Sequence, residues 1–184
     1  MTLKNTRRGS LGMLLAIWAA CASSSAGIQD EQVYRKAFEF VRQSPAVHKY
    51  CRVELRLAQV SQCQLAQSDS TIFPSMVFFL HDLAVIRRES QQALRDSLAQ
   101  DEIVRRRTFR SAALPVHFPA PAHPAAHLFF SSRHKNMITA EVVGPFVAHQ
   151  SFSEAIQFRP RLLFLFIFDD EGNITKVLDK YLES

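Results

Sequence analysis

Beyond residue 29 the chain carries two hydrophobic rhythms, a helical one in its first half and a strand-like one in its second. Over residues 30–43, Val33, Ala37, Phe38 and Val41 recur at helical spacing, with Asp30 suited to an N-cap and Ser44-Pro45 to a stop. This predicts an amphipathic helix. From Tyr50 the period shortens, because Val53, Leu55 and Leu57 alternate with Arg52, Glu54 and Arg56 as in a half-buried strand; a helix through Val53, Leu57 and Val60 is the other reading. A long return through residues 58–70 is expected, since Ala58-Gln59 is poor chemistry for a tight hairpin. Leu80, Ala84, Gln91, Leu94 and Leu98 then fall near one face and predict a helix over about residues 75–100, with Pro74 near its start; a short strand before His81 is the alternative.

Residues 114–127 hold four prolines in fourteen positions and show no periodicity, so they read as extended connecting chain. Strands are expected after it, at 128–131, 136–143, 162–168 and 174–182. The run Leu162-Leu-Phe-Leu-Phe-Ile-Phe168 is apolar throughout and bounded by Pro160 and by Asp169-Asp-Glu-Gly-Asn173. It predicts a central strand buried on both faces, turning at Gly172 into an antiparallel neighbour. The fold class that follows is α+β, with N-terminal helices packed on one face of a C-terminal antiparallel sheet of about four to five strands. One domain over residues 27–184 suits the length.

The first 26 residues read differently. Lys4, Arg7 and Arg8 precede an apolar run, residues 11–20, and a small-residue stretch, Cys21-Ala-Ser-Ser-Ser-Ala26, which is the three-part layout of an export signal. Ten apolar residues make a helix of about 15 Å, too short for a hydrocarbon core of about 30 Å. Two processing routes are open. Ala19-Ala20-Cys21 resembles a lipobox with Cys21 as the lipidated residue, although Trp18 departs from the aliphatic residue expected there; cleavage after Ala22 or Ala26 satisfies the rule for ordinary signal peptidase. A membrane link is therefore expected only through a lipid on Cys21. Loss of the three basic residues leaves 19 of the 22 Lys and Arg against 17 Asp and Glu, so the formal net charge of +5 belongs partly to the signal.

Either route leaves Cys51 and Cys63 as a candidate disulfide in an oxidising compartment. One straight helix between them would hold their Cα atoms about 18 Å apart, against a limit of about 7 Å for a bridge. Either the helix breaks or the bond is absent.

Candidate chemistry is sparse. Five glycines, none suitably spaced, exclude the common nucleotide-binding and serine-hydrolase signatures, and no C-x-x-C occurs. His117, His123, His127 and His134 lie close in sequence, but Pro119, Pro121 and Pro124 prevent the helix that would bring ligands together, so no metal and no cofactor is expected. The acidic turn before Gly172 lacks the spacing of a calcium loop. His81 and Glu141 are the remaining candidates for acid-base chemistry, with Asp82 beside His81. The bland reading of Glu141 is that it shares a solvent-facing side of its strand with Met137, Thr139 and Val143. Arg105, Arg106 and Arg107 would suit nucleic acid in a cytoplasmic protein, and export removes that partner.

Phe129-Phe130-Ser131, residues 136–141 (Asn-Met-Ile-Thr-Ala-Glu), 151–155 (Ser-Phe-Ser-Glu-Ala) and 166–174 (Phe-Ile-Phe-Asp-Asp-Glu-Gly-Asn-Ile) together resemble small exported bacterial proteins without a known activity. The element order is similar to that of nuclear transport factor 2-like and cystatin-like folds. Neither resemblance carries a site residue with it. The function expected is an exported, non-enzymatic envelope module that binds a protein or small ligand. The rivals are an enzyme with an enclosed acid-base site and an envelope inhibitor or immunity-type protein.

Overall fold

A computed structural model describes residues 30–59, 61, 63–68, 70–72, 75–108, 113–144 and 159–183, the side chains of 101–108 excepted. The segment read as an export signal, Cys21 and residues 151–155 lie outside these residues.

Helix α1 covers residues 30–43 and buries Val33, Ala37 and Val41 of the predicted stripe, with Phe38 half-buried and Tyr34 added to the buried side. Ser44 ends it and starts the next: its hydroxyl accepts the Ala46 N–H at 3.2 Å, and Pro45 occupies the first position of α2 (Pro45–Val53). Here the expectation of a strand from Tyr50 fails. Val47, Tyr50 and Cys51 form a buried helical set, while Val53, which should face inward in a strand, is 56% exposed. The cap at Ser44-Pro45 fixes the helical phase before the alternation begins.

Glu54 closes α2, and Arg56 takes a left-handed conformation (φ 55°) that turns the chain back. Cys63 returns over Cys51, and the two form a disulfide with Cα atoms 5.9 Å apart. Strand β1 (Leu65–Gln67) follows. A short 3-10 helix (Met76–Phe79) leads into α3 (Leu80–Arg87), and α4 (Gln91–Thr108) completes the helical part. The expected single helix is thus interrupted. Arg88 adopts φ 56° and donates its N–H to the Ala84 and Val85 carbonyls, and the Ser90 hydroxyl then accepts the Ala93 N–H at 3.1 Å to cap α4.

The proline-rich connection leads to β2 (Ala126–Phe130), β3 (Met137–Val143), β4 (Arg161–Phe168) and β5 (Ile174–Leu182). The sheet runs β1-β2-β3-β4-β5 in sequence order. Neighbours are antiparallel except β1 and β2, which pair in parallel through Leu65–Ala126, Ala66–His127 and Gln67–Leu128. A parallel pair needs a crossover, and α3, α4 and the connection supply it.

Helices cover both faces of the sheet, not the one expected. On the first face α1 and α2 pack against Leu128, Phe130, Ile138, Ala140, Val142, Phe164, Phe166 and Phe168. On the second, Met76, Phe79, Leu83, Ala84 and Leu94 pack against Met137, Leu163 and Leu165. The reason is the unbroken apolar run of β4, which demands cover on each side. The β4–β5 turn is a closed hairpin: Gly172 adopts φ 74°, the Asp169 carboxylate accepts the Asn173 N–H at 2.6 Å, and Lys36 of α1 donates to the Gly172 carbonyl at 2.8 Å. The Asn173 N–H is also what holds the Asp169 carboxyl below the usual carboxylate range.

Candidate functional site

Glu141 lies in the middle of β3, opposite Phe129 on β2 and Leu163 on β4, and is 1% exposed. The reading that placed it on a solvent face is corrected: the side chains of Met137, Thr139, Glu141 and Val143 point to the second face, which the α3 layer covers. Two groups satisfy the carboxylate, and a third bond ties Ser75 to the same strand. The Ser75 hydroxyl donates to Oε1, the Arg161 Nη1 donates to Oε2 at 3.2 Å, and the Ser75 N–H reaches the neighbouring Thr139 Oγ1 at 3.2 Å. The Arg161 guanidinium also lies 5.4 Å from the centre of the Phe78 ring. Burial pushes the Glu141 carboxyl above its ordinary range, against the pull of Ser75 and Arg161.

A hydroxyl bonded to a buried carboxylate is the raw material of a nucleophile and its base. Here the same contacts fasten the 3-10 helix to the sheet, since Ser75 immediately precedes it and Phe78 lies within it. A second fastening lies at the edge of that face. Lys180 of β5 pairs with Asp82 at 2.6 Å, donates to the Phe78 carbonyl at 2.9 Å and sits 5.5 Å above the Phe79 ring. That lysine holds the Asp82 carboxyl below its usual range.

His81 is not part of the cluster. It is exposed on α3, with Nδ1 3.0 Å from the Gln91 amide nitrogen. Sequence reasoning missed Ser75 and Arg161. A signal for Arg161 existed: it has the strand parity of Leu163 and Leu165, so it is a charge entering an apolar face that already holds an opposite charge on the adjacent strand.

The four close histidines are dispersed. His117 and His123 are exposed, His127 is half-buried on β2 with its pKa lowered by burial, and His134 is buried in the β2–β3 turn. Among the described residues no three His, Cys, Asp or Glu side chains converge, and no helix is long and apolar enough to cross a membrane. The side chains of Arg105, Arg106 and Arg107 lie outside the description.

A groove of about 910 Å³ runs between α1 and the proline-rich connection. Phe38 and Phe118 stack in its wall with ring centres 4.2 Å apart, and Arg35 lies 5.6 Å above Phe118. Its arginines are paired within α1, Arg35 with Glu31 and Arg42 with Glu39. Comparison of the chain with protein-family models, curated proteins and solved structures finds no match.

Proposed function

We propose that the chain is an exported, non-enzymatic binding protein of the bacterial envelope. The observation that carries this reading is the placement of its exposed apolar groups. Phe40, Val53, Val77, Phe78, Val85 and Tyr181 are each 38% to 66% exposed, with Val53, Phe78 and Tyr181 beside the β5 edge, whereas the enclosed acid Glu141 is engaged in holding the α3 layer. Export is supported by the layout of residues 1–26 and by the Cys51–Cys63 disulfide.

A second reading, an enclosed acid-base site, draws on the raised Glu141 carboxyl beside the Ser75 hydroxyl. One preparation tests both. The protein is purified without reductant from a bacterial envelope, its intact mass measured and its turnover assayed on a broad hydrolase panel. A start at Cys21 with acyl mass, or at Ser23 or Gly27 without it, is expected, together with no turnover. Retention of Met1 would overturn export. Turnover that disappears in Glu141→Gln would replace the binding reading with the catalytic one.

A further inference from the structure

β5 is an outer strand of the sheet among the described residues. Its register shows which backbone groups face outward. The Phe168 N–H donates to the Asn136 carbonyl, on the β3 side, so Leu163 and Leu165 direct their backbone groups to β5, where they oppose Lys180 and Leu178. Val177, Asp179 and Tyr181 therefore turn their N–H and C=O groups away from the sheet.

Exposed apolar side chains stand among charged ones on both flanks of this edge. On the α1 and α2 side, Val53 and Tyr181 line a hollow of about 370 Å³, and Phe40 packs edge-on to Phe166 at 5.6 Å. On the α3 side, Phe78 is tied to Lys180, and Val85 lies one turn beyond Asp82, the partner of Lys180. An outer strand whose outward backbone groups have no partner among the described residues, with exposed apolar side chains beside it, is a template for strand addition.

Charge decides what kind of strand fits. Lys176 and Lys180 share the α3 side with Leu178, while Asp179 lies on the other side between Val177 and Tyr181. Antiparallel pairing of two copies about Leu178 would set Lys176 against Lys180 twice, a repulsion that Asp82 beside Lys180 reduces, and pairing about Asp179 would oppose two carboxylates. Pairing about Val177 leaves Tyr181 outside the ladder. Self-association is therefore disfavoured, and an acidic face on the incoming strand is favoured.

We propose that β5 receives a sixth strand from another polypeptide, an extended segment alternating acidic residues, the principal one set against Lys176 because Lys180 is already paired with Asp82, with apolar residues, set against Val177 and Tyr181. This rests on the binding reading above and adds the partner's chemistry to it.

The test uses the mature protein and fluorescein-labelled nonapeptides read by fluorescence anisotropy. One alternates glutamate with valine, one has the same composition in two blocks, and one carries lysine for glutamate. The alternating acidic peptide should bind, and the other two more weakly. Val177→Pro removes an outward N–H without a described partner together with a side chain packed against the first core, so a small fall in melting temperature shared with Val177→Ala, and an affinity lowered about tenfold in the proline variant alone, are expected. Should that variant unfold, Lys176→Glu carries the same test: it should weaken the acidic peptide and strengthen the basic one. Equal binding of all three peptides, or none, would overturn the acidic-strand proposal while leaving the mass and turnover results untouched. A concentration-dependent dimer abolished by Val177→Pro would assign the edge to a second copy and also overturn it.

Discussion

Glu141 and Arg161 meet at 3.2 Å from diagonal positions on β3 and β4, the carboxylate 1% exposed and the guanidinium side chain 15%. Neither charge has another described partner of opposite sign, so removing one strands the other. Arg161→Met should cost about 3 kcal/mol in chemical denaturation, because breaking a buried pair leaves an uncompensated charge. The double variant Glu141→Leu with Arg161→Met should recover most of that loss. A double variant less stable than either single one would show that the pair is not the source of the effect.

The same carboxyl makes stability depend on pH. Its folded pKa is raised above the ordinary value, so the folded state holds the proton more tightly than the unfolded chain does. The contribution is complete below the ordinary value of 4.5 and is lost as pH rises through the folded one. Glu141→Gln should flatten this fall. Urea midpoints of the two proteins, followed upward from about pH 4, should diverge; parallel curves would refute the assignment.

Two tyrosines give an alkaline counterpart. Burial pushes the Tyr50 hydroxyl up to about 12, and it donates to the Pro160 carbonyl at 2.8 Å. Tyr181 is also raised to about 12, by desolvation first and by its bond to Glu54 next. Both keep their protons in the fold beyond the ordinary value of 10, so the stability they contribute is present below pH 10 and lost toward 12. Phenolate absorbance should rise late in the native protein, and Glu54→Gln should bring part of that rise to lower pH.

Reduction of Cys51–Cys63 should lower stability by about 3 kcal/mol, the chain-entropy cost of opening a loop of about this length. Cys51→Ser with Cys63→Ser should match the reduced wild type, and that pair should no longer respond to reductant.

Gly172→Ala places a side chain at φ 74° in the β4–β5 turn. A loss of about 1 kcal/mol is expected, visible as a lower denaturation midpoint with an unchanged slope.

Much of this fold is legible in the residues. The helix at 30–43 follows from Val33, Ala37 and Val41, and β5 from its turn at Gly172 and the alternation after it. What misled was local pattern without tertiary context. Val53, Leu55 and Leu57 alternate like a strand, yet the helix phase had been fixed upstream by Ser44-Pro45. Arg88 gives no sign of a left-handed cap, because that conformation is ordinarily glycine's; only the Ser90 cap that follows could have shown the break. The site shows the same division. Glu141 stood out as a charge in an apolar run, while its partners Ser75 and Arg161 lie 66 and 20 positions away and become neighbours only through the sheet.

The layering also fixes an order of assembly. Tyr34 of α1 bonds to the Ser131 carbonyl 97 positions later, and Lys36 to the Gly172 carbonyl 136 positions later. Until those distant strands assemble, the apolar stripes of α1 and α2 have no sheet to cover them. The first helices of the described chain are thus buried only when the sheet strands that follow them are in place.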